Sequence, residues 1–178
     1  YLEGEHATGF LKYYADGKYV YAAILPEEGM SATEYAASLT GEELRRMLTN
    51  PEETIVQAAL PGYESEYGIE MSQILREMGM PDAFDEGRAD FSGIGYSVQG
   101  NIFIGRVLHR TFIAVDEKGT RAGASTAVEM QDKCASLEAL IKTVYLDRPF
   151  LYCIVDCETM TPVFLGIVED VTPGMGAE

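Results

Sequence analysis

The three cysteines and two histidines of this sequence are candidates for nucleophiles, general bases or metal ligands. They are Cys134, Cys153, Cys157, His6 and His109. Cys153 and Cys157 lie four residues apart in an apolar stretch, and in an extended strand they would be roughly 13 Å apart, too far for a disulfide. The cysteines are odd in number and lack the spacing of metal ligands. We therefore expect no metal and no cofactor, with free buried thiols in the apolar stretch and an exposed Cys134.

Motifs for other kinds of catalysis are missing from the sequence. It contains no G-x-S-x-G elbow, no cysteine–histidine pair close in sequence and no phosphate-binding loop. The run Gly93-Ile94-Gly95 lacks the remaining glycine spacing and a preceding strand, so it favours a turn. We expect no enzyme activity.

The charge of the chain restricts its partners. Its net charge is −16, with 29 acidic and 13 basic residues. Nucleic acids and anionic membranes carry charge of the same sign, so neither is an expected partner, whereas cationic proteins are favoured. There is no apolar run of 18 residues, which predicts no membrane-spanning helix. Because Tyr1 is not preceded by a signal sequence, we expect the natural N-terminus to lie outside this chain.

Hydrophobic periodicity and turn signals predict an α+β fold with several sheets. Capping-box pairs, Ser31 with Glu34 and Thr40 with Glu43, predict two short helices. The spacing of Met71, Ile74, Leu75 and Met78 predicts an amphipathic helix that ends at Gly79. The predicted strands are Tyr19–Leu25, Thr54–Leu60, a long buried strand over Asn101–Val115, Phe150–Val155 and Pro162–Val168.

The stretch between Val115 and a strand near Tyr145 is unusually long for a loop in a compact domain, which indicates a functional role. Read as a strand, it has two distinct faces. One face carries the small or apolar residues Thr120, Ala122, Ala124, Thr126, Val128 and Met130, and the other carries Arg121, Gly123, Ser125, Ala127, Glu129 and Gln131. This alternation is typical of a half-buried strand. From the pattern alone, an edge strand or a flexible loop remains an alternative.

Several strings of residues resemble those of the serpin family of protease inhibitors. They are Val144 to Ile154 (VYLDRPFLYCI), Val107 to Thr120 (VLHRTFIAVDEKGT), Ala83-Phe84, Ala89 to Ile94 (ADFSGI) and Phe164 to Val168 (FLGIV). Their order and spacing agree from about Tyr19 to Val168. The resemblance implies a partial serpin domain over residues 1–178, the C-terminal half of a fold with three sheets plus helices, with a reactive-centre loop at about 117–146.

This resemblance implies a suicide substrate of serine proteases, in which a cleaved loop inserts as a strand into the main sheet. The alternatives are a non-inhibitory serpin that acts as a carrier or chaperone, or an inactive fragment that associates or swaps strands. The resemblance also suggests a bacterial member and an extracellular or cell-envelope location.

The resemblance assigns roles to individual residues. The hinge of inhibitory members corresponds to Glu117, Gly119, Thr120, Arg121, Ala122, Gly123, Ala124, Ser125 and Thr126. Arg121 replaces a residue that is commonly acidic. His109 corresponds to a buried polar residue that controls the opening of the main sheet. The family spacing places the reactive bond at Lys133–Cys134, which suits a trypsin-like protease. Because the following segment is longer than usual, Met130, Cys134 or Ala135 are alternatives, and Ala135–Lys142 could form a helical turn.

Overall fold

A computed structural model describes residues 1–116, the backbone of 119–120, and residues 141–171. The fold is α+β, as predicted. The strands are β1 (Leu2–Glu3), β2 (Ala7–Tyr13), β3 (Tyr19–Pro26), β4 (Ile55–Ala59), β5 (Tyr63–Glu70), β6 (Leu108–Asp116), β7 (Gly119–Thr120), β8 (Ile141–Tyr145), β9 (Phe150–Asp156) and β10 (Thr161–Val168), and the helices are α1 (Ala32–Ser38), α2 (Gly41–Thr49) and α3 (Ser72–Glu77). The chain divides into two compact units, Glu64–Ile113 and the remainder.

A five-stranded antiparallel sheet forms the centre of the larger unit. Its strand order is β1-β2-β3-β9-β10. The two central strands, β3 and β9, are buried along almost their whole length. Their continuous apolar sequences, rather than an alternating pattern, follow from packing on both faces. One face joins the main core, to which β3 contributes Val20, Ala22 and Ile24, and β9 contributes Leu151, Cys153 and Val155.

Helices α1 and α2 contribute Tyr35, Met47 and Leu48 to this core. The predicted capping box of α1 is confirmed, since the Ser31 hydroxyl accepts the Glu34 amide and the Glu34 carboxylate accepts the Ser31 amide. Only half of the box forms at α2. There Thr40 accepts the Glu43 amide, whereas the Glu43 carboxylate accepts instead from Arg46, 2.8 Å from Nη2.

Strands β4 and β8 form a separate two-stranded parallel sheet. The register runs from Ile55 opposite Ile141 to Ala59 opposite Tyr145. The amide of Leu146 continues the pairing by donating to the carbonyl of Ala59 at 2.9 Å. The strand predicted over Thr54–Leu60 is thus confirmed for Ile55–Ala59, and β8 is its partner.

The third sheet has the order β5-β6-β7. Helix α3 follows β5, and the Ser72 hydroxyl at its start accepts the amide of Val107, just before β6. The predicted end at Gly79 is confirmed: Gly79 has φ +103°, and Met80 donates to the Leu75 carbonyl. The predicted apolar face of α3 is exposed at Ile74 and Met78.

The prediction of a long buried strand over Asn101–Val115 is wrong in two respects. Regular pairing begins at Leu108, and Leu108 and Phe112 have 53% and 57% of their surface exposed. Only Ile113 and Val115 are buried in this strand. Apolar residues in a strand are buried only where a second layer covers them. Within residues 64–113 the helical elements are α3 and the 3-10 turn Asp82–Phe84, both too short to cover a sheet.

Candidate functional site

The candidate site begins at a tight hairpin between β6 and β7. In its antiparallel register, Val115 lies opposite Thr120 and Asp116 lies opposite Gly119. The predicted hinge therefore starts as a strand that turns back along β6. Glu117 and Lys118, which connect the two strands, lie outside the described residues.

The two edges of β6 have different neighbours. The strand order β5-β6-β7 places β5 on one edge and β7 on the other. On the β7 edge, the register covers Val115 and Asp116, and no other described strand pairs with the rest of this edge. Within the described residues, the backbone donors and acceptors along most of this edge of β6 are therefore unpaired. A strand that continues from β7 could pair with them.

At the C-terminal end of β6, the faces of the strand alternate between buried and more exposed. Ile113 and Val115 are each 5% exposed, Ala114 is half-buried and Asp116 is exposed. In an antiparallel pair, directly opposite residues share a face. A side chain paired opposite Val115 would therefore share the face on which Ile113 and Val115 are buried.

The far end of the predicted loop is held by β8. Besides its five paired residues, Lys142 Nζ lies 3.4 Å from a Glu52 carboxylate oxygen and 4.8 Å from the centre of the Tyr1 ring. Ile141 and Lys142 are strand residues, so the helical turn proposed for Ala135–Lys142 does not include them. Both ends of the segment 121–140 are therefore joined to paired strands.

A cluster of buried aromatic side chains lies where β5 begins, and sequence reasoning missed it. The hydroxyls of Tyr21 and Tyr63 are 2.9 Å apart, and the Tyr63 ring contacts those of Phe150 and Tyr152 at centroid distances of 5.9 and 5.6 Å. Burial raises the pKa of both hydroxyls, so they remain neutral and hydrogen-bonded at physiological pH. Tyr63 follows Leu60-Pro61-Gly62, which signals a turn but not a buried aromatic.

The other predicted site residues divide into two groups. Glu117, Lys133, Cys134 and residues 121–126 lie outside the described residues. His109 is described, in β6, and is exposed. The layers of residues 64–113 leave this part of β6 uncovered, and the role of His109 in opening the main sheet stays a prediction. Thus the structure brings Gly119 and Thr120 to the end of β6 and leaves His109 on the open part of the strand.

The cysteines of the described chain are unsuited to chemistry. Cys153 and Cys157 are free, as predicted; Cys153 is fully buried, whereas Cys157 is partly exposed. Burial raises the pKa of the Cys153 thiol to about 12, which disfavours the reactive thiolate. No group of three or more His, Cys, Asp or Glu side chains in the described ranges is arranged to hold a metal ion. Within the same ranges, no helix has the length and apolarity to cross a membrane.

Comparison with known proteins agrees with this architecture. Residues 6–171 match the family Serpin (serine protease inhibitor). The chain belongs to the serpin family. It is 36% identical over 146 residues to Serpin B8 of Bos taurus, covering 80% of this chain and 37% of that protein. The native state of the thermophilic serpin tengpin is similar in structure, with a TM-score of 0.80 and 45% identity over 96% of this chain and 43% of the tengpin chain.

A second solved serpin structure shows an assembly. It is described as a loop C-sheet serpin polymer, with a TM-score of 0.69, 39% identity and coverage of 97% of this chain and 44% of that chain. The chain thus spans less than half the length of the serpins it matches. The serpin fold predicted from the sequence is confirmed for this part.

Proposed function

We propose that this chain is the strand-accepting and loop-bearing part of a serpin that inhibits serine proteases by inserting its cleaved loop beside β6. Membership of a family of protease inhibitors supports the class of activity. The register of the β6–β7 hairpin is the observation that carries the specific mechanism.

Continued along β6, this register assigns a partner to each hinge residue. Since Val115 lies opposite Thr120, Ala122 would lie opposite Ile113, Ala124 opposite Thr111 and Thr126 opposite His109. These small residues would then share the face on which Ile113 and Val115 are buried. Arg121 and Ser125 would share the other face. In this proposal, the two faces predicted from the sequence would match the two faces of β6.

The free energy of such pairing is sufficient for the mechanism. Pairing along β6 adds about eight ladder hydrogen bonds, each with a net contribution of roughly 1 kcal/mol, so on the order of 8 kcal/mol. A protease domain has a free energy of unfolding of about 5–15 kcal/mol. Strand insertion can therefore distort the active site of an attached protease.

The proposed reactive bond is Lys133–Cys134. A lysine before the cleaved bond fits proteases whose specificity pocket carries an aspartate, as in trypsin. The charge of −16 supports encounter with a cationic protease. No catalytic activity of the chain itself is proposed. An extracellular or cell-envelope location remains a prediction from the family resemblance.

The test requires the complete serpin, of which this chain is a part. It is incubated with trypsin and with an elastase, and denaturing gels are examined for a covalent complex. We expect a complex that survives denaturation with trypsin, and an increase in Tm when the loop is nicked by a non-target protease. Cleavage with neither a trapped protease nor an increase in Tm would exclude the inhibitory mechanism and favour a carrier role.

A second proposal is that the 178-residue chain self-associates through β4. This strand, IVQAA, contains no charge or proline to protect its edges; β8 pairs with one edge, and no other strand of the described residues pairs with the second. An open groove of about 420 Å³ runs along it, lined by Val56, Ala58 and Leu60 and by Phe10, Leu11 and Lys12 of β2. The similar serpin polymer supports this proposal.

Size-exclusion chromatography of the chain, against its monomer mass of 19.5 kDa, tests the association. A charge on the edge should oppose pairing, so we expect Gln57→Lys to shift the chain toward monomer. The matched control is Gln99→Lys in the exposed turn of the smaller unit, which should not change the elution. If both variants elute as the unmodified chain does, β4 is not the interface.

A further inference from the structure

The start of β5 is fixed to the five-stranded sheet by a single buried side chain. Tyr63 is 8% exposed, whereas the next residue, Glu64, is exposed. The Tyr63 ring packs against Phe150 and Tyr152 of β9, and its hydroxyl meets that of Tyr21 on β3. Both partner strands are the central strands of the sheet, so this anchor has a rigid base.

The residue before Tyr63 contacts the end of β6. A Cβ added at Gly62 would lie 3.4 Å from the Val115 carbonyl oxygen, an ordinary van der Waals distance, so Gly62 lies beside this carbonyl. Val115 is in turn the β6 residue paired with Thr120. A continuous path of contacts therefore runs from Tyr21 through Tyr63 and Gly62 to the β6–β7 hairpin.

We infer that the hydroxyl pair of Tyr21 and Tyr63 is a positioning contact that holds the end of β6 in place, and so determines how firmly the first hinge residues pair with β6. Loss of one hydroxyl leaves the other buried without its partner, which favours displacement of the Tyr63 ring. Displacement of Tyr63 moves Gly62 and removes the contact that supports Val115. The consequence for protease trapping rests on the proposed inhibitory function, but the positioning role does not.

Amide hydrogen exchange of the 178-residue chain tests the inference directly. We expect Tyr63→Phe to increase the exchange rates of the Asp116 and Gly119 amides, which pair across the hairpin, about tenfold relative to those of the β3–β9 ladder. Tyr21→Phe should have the same effect, because it removes the other half of the pair.

Tyr35→Phe is the matched control. Its hydroxyl is also buried, but it donates to Met47 Sδ at 3.6 Å in the layer of α1 and α2. A purely structural effect of losing a buried hydroxyl would accelerate exchange equally in the control. Equal acceleration in Tyr35→Phe, or unchanged hairpin exchange in Tyr21→Phe, would overturn the inference. Neither result depends on a protease, so failure here is distinguishable from failure of the inhibitory function.

Discussion

Gly166 of β10 lies so close to Tyr152 of β9 that a Cβ at position 166 would be 2.5 Å from the Tyr152 hydroxyl oxygen and 2.7 Å from Cζ. The tyrosine cannot move away easily, because its ring is stacked between Tyr21 and Phe164 at centroid distances of 6.2 Å. The two residues are direct neighbours in the β9–β10 register. Position 166 therefore requires glycine because the Tyr152 ring leaves no room for a Cβ, and not because of its backbone conformation.

Gly166→Ala should lower the free energy of unfolding by about 1–3 kcal/mol, the cost of overpacking a filled core. Denaturant unfolding of the chain measures the change. Gly41→Ala is the control, since a Cβ there meets no atom within 4 Å, and it should be neutral or slightly stabilising. An equal free energy of unfolding for Gly166→Ala and the unmodified chain would contradict the packing described here.

The buried thiol of Cys153 should make the fold sensitive to alkaline pH. Its pKa is raised by burial to about 12 from an ordinary value of 9.0. Between these values the unfolded chain binds fewer protons than the folded chain, so the free energy of unfolding decreases as the pH rises, by about 1.4 kcal/mol per pH unit at most. The contribution is complete below pH 9 and is lost toward pH 12.

Cys153→Val removes this titration, and we expect it to flatten the decline in the free energy of unfolding between pH 9 and 10. Unfolding curves at several pH values measure the slope. Cys157→Ser serves as the comparison, since Cys157 is only partly buried. A slope that persists unchanged in Cys153→Val would assign the alkaline sensitivity to other groups.

The face assignment of the hinge predicts opposite effects at two adjacent positions. In the complete serpin, Ala122→Arg should convert the inhibitor into a substrate, because a charge opposite Ile113 has to be buried, at a cost of several kcal/mol. Arg121→Lys, on the opposite face, should preserve inhibition. The measurement is the number of serpin molecules consumed per protease trapped, and an unchanged number for Ala122→Arg would refute the register.

The assignment of the reactive bond predicts the effect of a charge reversal at position 133. Lys133→Asp should reduce the rate of covalent trapping of trypsin by at least about a hundredfold, since like charges would meet in the specificity pocket. Rates of complex formation on denaturing gels measure this effect. Lys18→Asp, at an exposed position between β2 and β3, is the control for charge alone. If Lys133→Asp traps trypsin at the original rate, the residue before the reactive bond is Met130, Cys134 or Ala135 and not Lys133.

Local patterns in the sequence were sufficient for much of the fold. The Ser31–Glu34 capping box, the helix end at Gly79 and the strands of β3, β9 and β10 depend on residues close together in the chain, and all are present in the structure. The family was also identifiable from strings such as VYLDRPFLYCI, because these combine turn residues and buried positions in a fixed order.

Tertiary structure alone decided the properties that depend on distant residues. The burial of a strand depends on which layer covers it, so the sequence of β6 could not reveal that Phe112 and His109 would be exposed while Val115 was buried. The pairing of Tyr21 with Tyr63 joins residues 42 positions apart, and no local periodicity encodes it. Likewise, the alternation of residues 120–131 predicted two faces, but only the tertiary structure showed that Thr120 lies opposite Val115 in the β6–β7 register.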